Sequence, residues 1–139
     1  MPSASLAAMR VPRQIVEEMI AHAREEAPNE CCGMIGGADG SATTLYRTRN
    51  AEASPLRYSI HSQDLIDTTN AIENAGEGLV GIYHSHTGSA AYPSQTDVNL
   101  AAYPDAVYVI VSLEDPQNPD VRGFWIRDGQ IDEAELDVV

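Results

Sequence analysis

The 139-residue sequence is 43% hydrophobic, enough to build one core, and is read as one domain spanning residues 1–139. A formal charge of −13 argues against nucleic acid as a partner, because an anionic surface repels phosphate. No apolar stretch approaches bilayer-spanning length and the opening "MPSASLAAMRVPRQ" lacks the order of a signal peptide, so a cytoplasmic protein without a membrane partner is expected.

In chain order, "PRQIVEEMIAHAREEAP" between Pro12 and Pro28 carries Ile15, Met19 and Ala23 on one face, the spacing of an amphipathic helix. "CCGMIGG" is a short apolar run ended by glycines and reads as a buried strand. "ATTLYRTRNA" and "LRYSI" read as two further strands. "HSQDLIDTTNAIENAG" has Leu65, Ile66, Thr69 and Ile72 at helical spacing and stops at Gly76. "GLVGIYHSH" is an apolar strand candidate, and "SQTDVNLAAY" a short helix stopped by Pro104. "AVYVIVSL" reads as a central strand, and "VRGFWIRDGQIDEAELDVV" as two strands turning at Asp128-Gly129. The expected order, α-β-β-β-α-β-α-β-β-β, gives a mixed α+β fold: one mixed sheet flanked by helices.

The eight basic residues are all arginine, which fits either a salt-loving source or a genome biased toward Arg and Ala codons. Cys31 and Cys32 are adjacent and have no other cysteine to pair with, so a metal would be held mainly by histidine and carboxylate.

Two of the four histidines stand one residue apart in "YHSH". In an extended strand His84 and His86 project from one face, and two imidazoles with no negative partner between them suit a divalent cation such as Zn2+. The competing reading is a solvated strand end. Ser94-Gln95-Thr96-Asp97 has the pattern of a capping box, and Asp97 in the first turn of that helix could also turn back as a third, anionic ligand. Three protein ligands leave a fourth tetrahedral position open, as in catalytic zinc sites. Glu30 stands just before the apolar "CCGMIGG", where a carboxylate is desolvated unless something uses it.

Cys32 would share the face of Glu30; it is either near the site or a small buried hydrophobe, and Cys31 on the other face is packing. His61 either reaches the site or caps the second helix. His22 is placed on the solvated side of the first helix. Phe124 and Trp125 are either core or a stacking surface, and Ser85 is structural.

Together, Glu30, His84, His86, Ser94 and Asp97 resemble the signature of the JAMM (MPN+) metallopeptidases. In that signature an early glutamate precedes a strand, followed by H-[ST]-H, seven residues, S, two residues and D. Here it reads "NECCGMIGG", "HSH", "TGSAAYP", "S", "QT", "D", with no gap. The resemblance extends over most of the chain and is strongest to compact bacterial members of the Mec type. It implies a JAMM/MPN-like fold, with His84, His86 and Asp97 as zinc ligands. It further implies Glu30 as the base that activates the zinc-bound water and Ser94 as a donor to the oxyanion. The implied substrate is the C-terminal tail of a ubiquitin-like sulfur-carrier protein with a Gly-Gly-type terminus, from which cysteine is released. Two alternatives stand beside it, an isopeptidase that removes ubiquitin-like proteins from lysines and a non-catalytic MPN-type scaffold.

Overall fold

The computed structural model describes residues 8–139; residues 1–7, which hold half of the stretch read above for a leader pattern, lie outside the described residues. Ten elements follow one another: β1 (Ala8–Val11), α1 (Arg13–Glu26), β2 (Cys32–Ala38), β3 (Ser41–Thr48), α2 (Ser62–Asn74), β4 (Gly78–His86), α3 (Gln95–Leu100), β5 (Val107–Ser112), β6 (Asp120–Arg127) and β7 (Gln130–Val138). The strands form one mixed sheet that closes on itself in the order β1-β3-β2-β4-β5-β6-β7. The mixed α+β class expected from the sequence is the one found.

β2 hairpins onto β3 and also pairs antiparallel with β4, with Cys32 opposite His84 and Met34 opposite Ile82. β4 and β5 run parallel, Ile82 beside Tyr108 and His86 beside Ser112. Parallel neighbours cannot be joined by a tight turn. The chain must therefore cross back over the sheet between them, and α3 lies in that crossover. β5, β6 and β7 complete the sheet as antiparallel neighbours, and the last two turn at Asp128 and Gly129, both at positive φ as a two-residue hairpin requires.

Alternation along β4 and β5 divides the core into two. Tyr83, Val107, Val109 and Val111 pack with Ile15 and Met19 of α1. Ile82, Tyr108, Ile110 and Phe124 form the second cluster on the opposite face, the face that also carries His84 and His86. Gly33 is required by this arrangement, since a Cβ there would lie 2.2 Å from the Tyr83 ring.

Three expectations are corrected. "LRYSI" is not a strand: within it only Ile60 makes a bridge, to Asn50. The Asn50 side chain takes the ladder's place, donating to the Arg57 carbonyl and accepting from Ser59 N, so the segment folds as a loop. β1 was not expected; four residues are too short for a visible alternation, and its partner is the distant β7, with Met9 beside Leu136. His22 is not solvated but 4% exposed, bonded through Nδ1 to the Tyr83 hydroxyl at 2.7 Å. Among the described residues no helix is long and apolar enough to cross a membrane.

Candidate metal centre

His84 and His86 end β4, both buried and both on one face as the strand period requires. The crossover from β4 to β5 brings α3 back over that strand end. Ser94 caps α3, its Oγ accepting from Asp97 N at 3.1 Å while Asp97 Oδ2 accepts from Ser94 N at 2.9 Å. The same Asp97 Oδ2 lies 3.1 Å from His84 Nε2 and 3.0 Å from His86 Nε2, and the two nitrogens are 3.2 Å apart. Cap and candidate ligand are thus one carboxylate, and the two readings of "SQTD" coexist.

This triangle fits a cation. The Ala90 carbonyl can only accept, so His86 Nδ1, 2.8 Å away, carries the hydrogen. Without a cation His86 bonds Asp97 only when Nε2 is protonated as well; in the neutral ring the Nε2 lone pair faces an anionic oxygen, a repulsion that a positive charge between them removes. Ligand atoms about 2.0–2.1 Å from an ion at tetrahedral angles stand roughly 3.3 Å from one another, close to the sides of this triangle. His84, His86 and Asp97 could therefore hold a metal ion.

The charges are tuned by their surroundings. Burial opposes ionisation of Asp97, yet its bonds to His84 and His86 outweigh that and hold its carboxyl well below the usual range. Burial lowers the pKa of His84, despite the pull of Asp97. For His86 burial acts the same way, but its bonds to Asp97 and Ala90 prevail and its pKa is raised.

Glu30 precedes β2 and is 4% exposed. Its backbone is pinned on both sides, N to the Ser54 carbonyl at 2.9 Å and O to Asn50 Nδ2 at 3.0 Å, while Oε1 has no partner among the described residues. Burial pushes its pKa from 4.5 up to about 7, with smaller and opposed influences from His86 and Asp97. A buried carboxyl that titrates near neutrality beside a candidate metal triangle is equipped to take and return a proton.

Cys32 is buried, with Sγ 3.3 Å from Thr48 Oγ1, and burial pushes its thiol up to about 11. It is therefore a small packed thiol rather than a thiolate ligand. Cys31 belongs to the α1-side core. Ser85 Oγ accepts from Cys31 N at 2.8 Å, a structural role as expected. His61 resolves as a cap, its Nδ1 accepting from Gln63 N. Phe124 is core, and Trp125 is partly buried against the α1-side cluster.

The loop between the histidines and α3 is held at several points rather than free. Thr87 Oγ1 donates to the Pro28 carbonyl at 3.2 Å, Ser112 Oγ to the Ser89 carbonyl at 2.6 Å, and Tyr92 meets Phe124 edge-on. Sequence reasoning missed Tyr58, whose ring stacks on His84 with centroids 4.4 Å apart. No local pattern marks it, and Asn50, which organises the loop around it, falls inside the stretch read as a strand.

A closed mixed sheet with a His-His-Asp triangle at the end of one strand and a buried glutamate beside it defines a family. The chain belongs to the prokaryotic homologs of the JAB domain, whose family model matches residues 12–127. It is 44% identical over 127 residues to a CysO-cysteine peptidase of Mycobacterium tuberculosis, a match covering 90% of this chain and 87% of that protein. It is 38% identical over 104 residues to a desampylase of Haloferax volcanii, covering 69% of this chain and 74% of that one. A solution structure of a protein from Desulfitobacterium hafniense superposes with a TM-score of 0.86 at 34% identity, covering 94% of this chain and 92% of that one.

Proposed function

We propose that the chain is a zinc-dependent peptidase that hydrolyses the amide bond at the C-terminal tail of a ubiquitin-like sulfur-carrier protein and releases cysteine. The observation that carries this reading is the buried Glu30 carboxyl set beside the triangle of His84, His86 and Asp97; in the metal-free protein burial raises its pKa to about 7. A zinc ion held by those three supplies Lewis acidity toward the scissile carbonyl and lowers the pKa of water to roughly 7. Glu30 accepts the proton of the attacking water and returns it to the departing amine, a task that requires a pKa near the working pH. Ser94 supports the oxyanion. Its Oγ already accepts from Asp97 N, and the side chain is exposed, so the hydroxyl hydrogen remains to be donated.

The choice of substrate is supported by the near full-length similarity to a CysO-cysteine peptidase. The partner is accordingly a ubiquitin-fold carrier whose tail ends in a Gly-Gly-type sequence, with small residues such as Gly88, Ser89 and Ala90 bordering the approach. The test is incubation of the zinc-loaded protein with a carrier bearing a C-terminal cysteine, read by mass spectrometry. Loss of one cysteine that stops on chelation supports the reading, and an intact carrier overturns it. The similarity to a desampylase favours a second reading, cleavage of ubiquitin-like proteins from lysine side chains. A lysine-linked conjugate in the same assay decides between them by which bond is cut faster.

A further inference from the structure

The two candidate imidazole ligands are held differently. His86 is oriented by a hydrogen bond, Nδ1 to the Ala90 carbonyl at 2.8 Å. His84 Nδ1 is buried and has no partner among the described residues. A ligating imidazole is normally aimed by an acceptor on its second nitrogen, and losing that acceptor weakens metal binding. Something else must keep the His84 ring turned toward Asp97.

The only ring stacked face-to-face on it among the described residues is Tyr58, at 4.4 Å between centroids and 22° between planes. Tyr58 is itself fixed through both neighbours by one side chain: Asn50 Nδ2 donates to the Arg57 carbonyl at 3.1 Å and Oδ1 accepts from Ser59 N at 3.0 Å. The loop is closed by Ala51 N donating to the Ser59 carbonyl at 2.8 Å. Asn50 Nδ2 also donates to the Glu30 carbonyl, so a single amide locates both the stacked ring and the candidate base.

We infer that Tyr58 is a positioning residue for His84, its ring replacing the hydrogen bond that Nδ1 lacks, with Asn50 holding Tyr58 in place. The inference rests on the metal-binding reading of the triangle. The ring plane rather than the hydroxyl is the active feature, because the contact is face-to-face. Rotation of His84 out of its plane would drive it into the tyrosine, whereas a flexible aliphatic side chain at the same place would yield.

The experiment is titration of the metal-free full-length chain with zinc in competition with a chelator, and separately with cobalt(II), whose visible spectrum reports ligand geometry. Tyr58→Leu is expected to raise the zinc Kd by about 10- to 100-fold and to change the cobalt spectrum, while Tyr58→Phe stays within about threefold of the parent. A Leu variant with parental affinity and spectrum overturns the inference, and so does a folded Phe variant that binds as weakly as the Leu variant. Circular dichroism melts of the metal-free proteins establish folding. If Tyr58→Leu does not fold, Tyr58→Met replaces it with the same expectation, and Tyr58→Phe still overturns the assignment if its affinity falls. Parental protein that refuses zinc removes the metal reading itself; parental binding with an indifferent Leu variant removes only the role of Tyr58.

Discussion

Cys32 stands opposite His84 across the antiparallel pair of β2 and β4, and the same register carried two residues further sets Glu30 opposite His86. The backbone continues to pair there, Ser85 N donating to the Cys31 carbonyl at 3.1 Å. A glutamate more than fifty positions upstream of the histidines is therefore delivered to them by strand pairing, on the face that period-2 alternation assigns to both.

Replacing Glu30 with Gln keeps the shape and removes the titratable proton. Hydrolysis is expected to fall by about 10²–10⁴-fold, the usual worth of a general base, while zinc affinity changes little. Steady-state turnover and chelator competition on the same preparation check both halves. Turnover at the parental rate would reassign the base.

Glu30 also predicts how stability depends on pH in the metal-free protein. The unfolded chain releases this proton near 4.5, the folded one near 7. Between those values the folded state binds more protons, so its stability falls as pH rises, and above about 7 the loss is complete. Glu30→Gln removes this liability. The metal-free variant is expected to be more stable than the parent at pH 8, by at most about 3 kcal/mol, and to lose the advantage below about pH 4.5. Urea melts at the two pH values give the difference directly.

Metal and fold are linked through Asp97. An ion that binds only the folded state stabilises it by about 2.7 kcal/mol at 100 times its dissociation constant, so zinc should raise the Tm of the parent. Asp97→Asn removes the anionic ligand and weakens the capping box around Ser94. Its Tm is expected to be lower without zinc and insensitive to added zinc. Differential scanning calorimetry with and without the ion tests this.

Gly33→Ala would place a methyl group 2.2 Å from the Tyr83 ring, whose hydroxyl is bonded to His22 in the α1-side core. The ring cannot move aside without breaking that bond. Destabilisation of about 1–3 kcal/mol is expected from overpacking, measured by chemical denaturation.

The candidate site was largely readable because its parts follow short-range rules. Alternation places His84 and His86 together, and the S-x-x-D spacing announces the cap that holds Asp97. Glu30 could be singled out because a carboxylate beside an apolar strand is an anomaly. Most of what escaped depends on distant partners. Leu56–Ile60 has strand-like composition, but no neighbouring strand accepts it and Asn50 captures its backbone instead. β1 is four residues whose pairing lies at the far end of the chain. His22 stands seven positions after Ile15 and three after Met19, on the apolar face of α1 itself, so the helical period marks it as buried and the solvated reading followed its polarity instead. For Leu56–Ile60 and for β1 the tertiary contact decided what the local pattern could not.

The place of β4 between β2 and β5 constrains how a partner is recognised. The strand that carries the two histidines is paired on both sides along Gly81–His84, so it offers no spare row of amides and carbonyls for a visiting peptide to join. A peptide that reaches the histidines cannot be enlisted as a strand beside β4. Contacts at the mouth of the site then fall to the neighbouring loops, which gives segments such as 51–59 and 87–93 a part in selectivity.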